Sequence, residues 1–508
     1  MPLVATLGLS LALADSFELP CPRVALRPAA PATLAARIAA ERVLLPAPAV
    51  VAPPPRFSPI LDALHESTSC SVCRLIPVPR PGSRDPADAD AYLVITGHAI
   101  ATRDYHQNQA QWLLAEPRES RARARHLAAA ARETPKILTR LTALISTPHL
   151  LRTHVEEGLY LMVREQSLAG HTAEAEAAHR RLAQEFPGSR YLPHADDARA
   201  HHALARGEPV AARELLKRVL AGPDALHARA HVAIGWSHLP ARPDLALAAF
   251  ERAHVQLATT PLVDDAAALR RSVEDGLLAA LVARHATDEA ADLLDRLIDR
   301  PRADALLARL ALTYFADEQH AHGIAVHRIL LASLPEAPER CDWQTRIVLA
   351  SSQQTDHAAT IREAERLADV WLSMRDGNDR QAVKRRCRDA ALEILPELAM
   401  RWHDAADETG APASHARSEQ LYTTFLGVFP LAIEARAVRA WLADLQWSHA
   451  ARMADYPPTR DAARRMFAAV AVAFTALFVD RPEHIDVHTL ARAAEHARCN
   501  ARALRDAP

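Results

Sequence analysis

The stretch SEQLYTTFLGVFP, residues 418–430, decides the fold of this chain, because its pattern occurs twice more. The copies are AEAAHRRLAQEFP at residues 175–187 and GIAVHRILLASLP at residues 323–335. Each begins with a small residue, continues with a ring and then an apolar residue at helical spacing, and ends in proline. Such a motif indicates a repeat period of about 34 residues, which is typical of a helical solenoid.

The amino-acid composition favours an all-α fold. Of the 508 residues, 49% are hydrophobic but only 5% are aromatic, and glycine occurs just 14 times. Ala, Leu, Arg and Glu dominate, and all four are strong helix formers. The formal net charge is −2, acids and bases alternate along the chain, and no basic stripe stands out. We therefore expect no nucleic-acid partner.

The N-terminal part of the sequence differs from the rest. Residues 1–14 form an apolar run ending in Ala12-Leu13-Ala14, which is similar to a secretory signal peptide, although no Lys or Arg precedes it. A mis-chosen start codon or a frayed apolar tail is the alternative. Residues 15–86 are rich in proline, and we interpret them as an extended, partly disordered linker. Residues 87–150 are expected to be helical, and a solenoid with C-terminal capping helices should follow over residues 151–508.

No stretch has 18 apolar residues without charge, so we expect no transmembrane segment. The apolar run at residues 467–479 is too short to span a membrane and predicts a buried helix. Gly170, Gly207 and Gly410 fall between periodic stretches. A tight turn there needs a residue that tolerates positive φ, so these glycines predict the turns of helix pairs.

The array resembles tetratricopeptide repeats, which are 34-residue helix pairs with small residues, rings and a proline at fixed positions. Residues 399–432 match through Trp402, Ala406, Ser418, Tyr422 and Pro430. Residues 304–337 match through Leu310, Ala311, Tyr314, Gly323 and Pro335, and residues 156–189 and 227–260 match more weakly. The turn at residues 186–191 is also similar to tetratricopeptide proteins of the bacterial envelope, and more loosely the C-terminal half resembles the myxobacterial type. The resemblance implies a right-handed α-solenoid of roughly seven to nine helix pairs.

The resemblance also implies a binding surface. In tetratricopeptide arrays the first helix of each repeat lines a concave groove. Its working positions correspond here to Tyr160, Arg164, His231, His238, Leu312, Phe315, Met400, His403 and Asp407. This set has little net charge, so a folded partner or an apolar–polar peptide fits it better than an acidic peptide terminus.

The cysteines and histidines are candidates for other chemistry. Cys70 and Cys73 are spaced for zinc but no second ligand pair follows, so a local disulfide is the better interpretation in an exported protein. The remaining helical cysteines, Cys341, Cys387 and Cys499, are interpreted as packing residues. Two histidine pairs, His227/His231 and His484/His488, each share a helix face and could chelate a metal, but neither has the adjacent Glu of a metalloprotease motif. We predict no metal site and no cofactor.

Sequence signatures of catalysis, such as G-x-S-x-G or a P-loop, are absent from the chain. The sequence therefore predicts a non-enzymatic scaffold that mediates protein–protein interaction through its concave face. The expected location is a bacterial envelope complex, either periplasmic or outer-membrane-associated. The alternatives are a cytoplasmic tetratricopeptide adaptor and a metal-binding enzyme that uses the His-rich helices.

Overall fold

The computed structural model describes residues 19–24, 26, 86–112, 120–146, 152–259, 266–480 and 485–506. These residues form α-helices joined by short turns, and none of them forms a strand. The predicted all-α solenoid class is confirmed. Residues 1–14, Cys70 and Cys73, His484 and most of the proline-rich linker lie outside the described residues.

The chain divides into two compact units, residues 46–306 and residues 1–45 with 307–508. The first unit contains α1 (Pro86–Trp112), α2 (Ser120–Ser146), α3 (Arg152–Leu168), α4 (Thr172–Glu185), α5 (Leu192–Ala205), α6 (Pro209–Leu220), α7 (His227–His238), α8 (Pro243–Thr259), α9 (Ala266–Ala283) and α10 (Asp288–Leu297). Helix α11 (Arg300–Ala316) begins in this unit. The second unit continues with α12 (His320–Ser333), α13 (Arg340–Ser351), α14 (His357–Asp376), α15 (Gln381–Thr409), α16 (Pro412–Val428), α17 (Glu434–Ala454), α18 (Arg460–Asp480) and α19 (Val487–Asp506).

Within each unit the helices pack mainly against their neighbours in sequence, as expected for an array of helix pairs. Three of the turns contain the predicted glycines: Gly170, Gly207 and Gly410 have φ values of 83°, 75° and 73°. This left-handed backbone conformation costs glycine nothing, whereas a side chain with a Cβ would be strained. The predicted turn positions are confirmed.

The repeated motif at residues 418–430 forms the second helix of a pair. On α16, Ser418, Tyr422 and Phe425 are all fully buried. The hydroxyl of Ser418 donates to the carbonyl oxygen of Ala399 on α15 at 2.8 Å, so the small residue allows the two helices to approach closely. The motif therefore describes packing inside a repeat.

A disulfide joins Cys341 on α13 to Cys387 on α15, and both residues are buried. The prediction that these cysteines only fill space was wrong. Helical periodicity places each cysteine on the inward face of its helix, but it does not show which two faces meet in the folded chain.

Helix α18 contains the apolar run at residues 467–479. Its residues Phe467, Val470 and Phe474 are buried, whereas Val472 is exposed, as in a helix that covers the core with one face. No helix within the described ranges combines the length and the apolar character that crossing a membrane requires.

Candidate functional site

The residues predicted to line the groove differ in how exposed they are in the structure. On α3, Tyr160 and Arg164 are buried. The ring of Tyr160 stacks on Tyr191 at 5.2 Å, and the Arg164 guanidinium contacts Glu165 within the same helix. Helix α5 packs against α3 and covers this face, so both residues serve packing and offer no surface to a partner, contrary to the prediction.

His231 and His238 lie on α7 and are half-buried. Burial lowers the pKa of both imidazoles, with a smaller contribution from nearby arginines, so both are neutral at physiological pH. The neighbouring His227 bonds the carbonyl oxygen of Gly222 at 3.1 Å. Its ring is thus engaged with the turn before α7. Among the residues the structure describes, no group of three His, Cys, Asp or Glu side chains is placed to hold a metal ion.

In the second unit, Leu312 and Phe315 on α11 are half-buried. The ring of Phe315 packs over Gly323 and lies 5.3 Å from the ring of His327, so much of its surface is used inside the chain. Met400 on α15 is buried in the hydrophobic core, and this prediction of a partner contact is also wrong. Periodicity identified the first helices, but the neighbouring repeats cover more of each helix than the sequence indicated.

The two remaining predicted residues, His403 and Asp407, come together on successive turns of α15. Facing them on α17 are Asp444 and Ser448, also one turn apart. The Ser448 hydroxyl donates to Asp407 Oδ1 at 2.7 Å, and the ring of His403 is held from behind by the Tyr422 hydroxyl at 3.3 Å. These four side chains (His403, Asp407, Asp444 and Ser448) are called the acidic site below.

The acidic site is occupied by Arg23. Its Nε and Nη2 donate to the two oxygens of Asp444 at 2.9 and 2.8 Å, a bidentate pair, and its Nη1 lies 2.8 Å from Asp407 Oδ2. Nη1 also contacts Ser448 Oγ at 3.4 Å, and Nη2 lies 3.3 Å from Nε2 of His403. All four side chains of the site thus contact one guanidinium, in the geometry that suits Arg rather than Lys.

The electrostatics of this contact are favourable. Burial by itself would lower the pKa of Arg23, but the hydrogen bonds and charges of Asp444 and Asp407 outweigh it and raise that pKa. Burial would likewise raise the pKa of Asp407, but the Ser448 hydrogen bond and the Arg23 charge bring it below its ordinary value. The site therefore holds a charged guanidinium against the charged carboxylate of Asp407.

Arg23 belongs to a short non-helical stretch, residues 19–24 and 26, which is called the N-terminal segment below. Cys21 forms a disulfide with Cys499 of α19, which corrects the prediction that Cys499 is a packing residue. The side-chain amide of Asn500 pairs with the backbone of Cys21: its Nδ2 donates to the carbonyl oxygen at 2.9 Å, and its Oδ1 accepts from the N–H at 3.1 Å. Leu26 is buried among residues of α17, α18 and α19.

Sequence reasoning found half of the acidic site. It missed Asp444, although a single acid within the apolar run WLADLQW at residues 441–447 was an available indication. It also missed Arg23, which it placed in the linker, and the pairing of Cys21 with Cys499. Those residues are separated by 478 positions, and nothing local in the sequence links them.

Comparison with known proteins gives little to add to this geometry. No family model matches the chain, and no curated protein matches it. One solved structure, titled "Circular tandem repeat protein with novel repeat topology and enhanced subunit contact surfaces", aligns with 88% of this chain and 88% of its own. The identity is 14% and the TM-score is 0.23, too low for any conclusion about this chain.

Proposed function

We propose that this chain is a non-enzymatic helical-repeat scaffold that binds another protein through the first helices of its repeats. The observation that carries the proposal is the bound N-terminal segment. Side chains of α15, α17 and α19 hold a non-helical stretch of polypeptide, and His403 and Asp407 are among them. A face that holds one peptide by side-chain contacts and a backbone clamp is suited to hold others.

We also propose that the helix pairs are tetratricopeptide repeats. The helix boundaries support this, because the segment 399–432 has its turn at Gly410. Its family positions Trp402, Ala406 and Tyr422 are buried between helices. The resemblance thus agrees with the packing of that repeat.

The proposed location is the bacterial envelope, either periplasmic or associated with the outer membrane. The support comes from the cysteines: within the described residues all of them are in disulfides. Such bonds persist in oxidising compartments and are reduced in the cytosol. Alkylation of the native protein in intact cells tests the location. We expect no alkylation at Cys21, Cys341, Cys387 and Cys499, because their sulfur atoms are held in disulfides. Free thiols at these four positions would contradict an envelope location and favour the cytoplasmic adaptor.

The binding face can be tested with a photo-crosslinking amino acid. We would place it at Leu312 and His238, which are half-buried on first helices, and as matched controls at Val255 and Val210, which are exposed on second helices. The expected result is a discrete partner adduct from the first-helix positions alone. Equal adducts from the second-helix positions, or none from any position in cells of the source organism, would refute the proposed face.

A further inference from the structure

The acidic site holds one arginine, and that arginine belongs to the same chain. Asp407 and Asp444 are the two carboxylates that contact the guanidinium, and Asp444 is almost completely buried. Carboxylates near one another repel, and a cation between them offsets that repulsion. A guanidinium satisfies both at once, through a bidentate pair on one and a single contact on the other.

The other contacts of the N-terminal segment do not depend on a particular sequence, so another extended peptide could make them as well. Asn500 reads only the N–H and carbonyl of one residue, which every non-proline residue possesses. Nδ1 of His496 contacts another backbone atom, the carbonyl oxygen of Pro22, at 2.8 Å. The apolar contacts come from Leu26, which is buried, and from Leu19 and Val24, which are only partly buried. Arginine is therefore the single side chain of the segment that is recognised by several polar groups.

The covalent bond that holds the segment is more accessible than the other disulfide of the same unit. Cys21 and Cys499 are both partly exposed, whereas Cys341 and Cys387 are 2% and 1% exposed. Attack by an external thiolate requires access to a sulfur atom, so a dithiol reductant should open Cys21–Cys499 first. One thiolate of the dithiol attacks one sulfur of the bond, which forms a mixed disulfide and releases the other cysteine as a thiolate. The second thiolate of the dithiol then attacks the mixed disulfide, which releases the second cysteine and leaves the dithiol oxidised.

We propose that the acidic site is a recognition site for an arginine-containing segment of a partner protein, and that the N-terminal segment occupies it in cis while Cys21–Cys499 is oxidised. The proposal rests on the proposed scaffold function and names the ligand chemistry of one of its surfaces. The matching partner segment has an arginine with apolar residues on the C-terminal side, as in Arg23-Val24-Ala25-Leu26. Reduction of the accessible disulfide converts the cis occupant into a competitor that a partner can displace.

The test uses the full chain and a fluorescent peptide with the sequence of residues 19–26, in which Cys21→Ser removes the thiol. Fluorescence anisotropy would compare the oxidised wild type with the unlatched variant Cys21→Ser/Cys499→Ser. We expect binding to the unlatched variant and none to the oxidised wild type at the same concentrations. Because the tethered segment competes at an effective concentration on the order of millimolar, adding Arg23→Ala to the unlatched variant should tighten binding by about tenfold or more.

Two changes test the arginine itself. A peptide with Arg23→Gln and an unlatched protein with Asp444→Asn should each lose binding by about tenfold or more, since a bidentate charged pair is removed in both cases. The matched control is Asp461→Asn, an exposed acid at the start of α18, which should leave binding unchanged. Equal binding of the two peptides, or equal binding by oxidised and unlatched protein, would overturn the proposal.

Two further measurements separate the alternatives. Far-UV circular dichroism shows whether the unlatched variant is folded; if it is not, wild type treated with dithiothreitol replaces it in the same titration. Sedimentation shows whether the unlatched chain self-associates, and an Arg23-dependent dimer would assign the site to a second copy and overturn the partner segment. If the peptide does not bind but crosslinking at Leu312 and His238 still captures a partner, the arginine site is refuted and the scaffold function stands. If neither is observed, the scaffold function is refuted as well.

Discussion

The packing of a ring between neighbouring repeats leads to a quantitative prediction. Phe250 on α8 is fully buried, and its ring edge lies between two glycines of adjacent first helices, Gly235 on α7 and Gly276 on α9. A Cβ built on Gly276 would lie 2.2 Å from Cε1 of the ring and 2.5 Å from Cζ, and one built on Gly235 would lie 2.6 Å from both atoms. The ring therefore has no room for an added methyl group on either side.

The perturbation is Gly276→Ala. Alanine favours a helix over glycine by about 1 kcal/mol, so a helix-propensity argument alone predicts stabilisation. The ring would, however, have to retreat by roughly 1.3 Å to reach an ordinary carbon–carbon contact of about 3.5 Å. Overpacking of a close-packed core costs about 1–3 kcal/mol, and Gly235 on the other side places this site near the upper value. We expect Gly276→Ala to lower the free energy of unfolding by about 2 kcal/mol.

The assay is hydrogen exchange of the amides of α7, α8 and α9 together with urea unfolding followed by circular dichroism. Exchange gives the opening free energy of this region separately, which matters in a chain with two units. Gly427→Ala is the matched control, because it lies in the helix α16 and a Cβ there meets no atom within 4 Å. The free energy of unfolding of Gly427→Ala should rise by up to about 1 kcal/mol.

A double variant decides the cause. In a Phe250→Leu background the ring edge is gone, so Gly276→Ala should become neutral or stabilising by about 1 kcal/mol. The resulting coupling energy between the two positions would be about 3 kcal/mol. If Gly276→Ala costs the same in both backgrounds, the contact with the Phe250 ring is not the reason for the loss, and this packing argument fails.

Three further predictions follow from other buried features. Replacing Cys341 and Cys387 by Ala removes a cross-link between residues with a sequence separation of 46. The loop-entropy relation gives a loss of about 4 kcal/mol in the free energy of unfolding, which a lower urea midpoint would show. A midpoint equal to that of the oxidised wild type would contradict this contribution. His327 is fully buried and burial lowers its pKa from 6.5 to about 3, so the unfolded chain binds a proton first and stability falls as the pH drops from about 6.5 towards 3. Between about pH 7.5 and about pH 5, the free energy of unfolding of His327→Leu should therefore fall by less than that of the wild type. Equal losses in the two proteins would contradict this explanation. Asp197 is buried against Arg229 at 2.8 Å, and Asp197→Ala should cost about 3–5 kcal/mol because a buried guanidinium loses its carboxylate. The exposed Asp224→Ala, which removes a 3.3 Å contact with the His227 ring, should cost about 0–1 kcal/mol in the same thermal unfolding measurement.

The sequence by itself determined the helices and their punctuation. Helix periodicity is local, and so is the backbone requirement that places Gly170, Gly207 and Gly410 at positive φ. The small–ring–proline spacing also determined which helix of a pair is the second one. These properties depend on neighbours a few residues apart, and a linear sequence displays them directly.

The tertiary structure alone decided which faces meet. It buried Tyr160, Arg164 and Met400, which the repeat register had assigned to a partner surface. It also brought residues 21 and 23 to α15, α17 and α19, across sequence separations of 380 to 478 positions. Such contacts form because a buried carboxylate needs a cation and a cysteine needs a partner at bonding distance. Neither requirement fixes the sequence position of its partner, so only the folded chain shows that Arg23 occupies the acidic site.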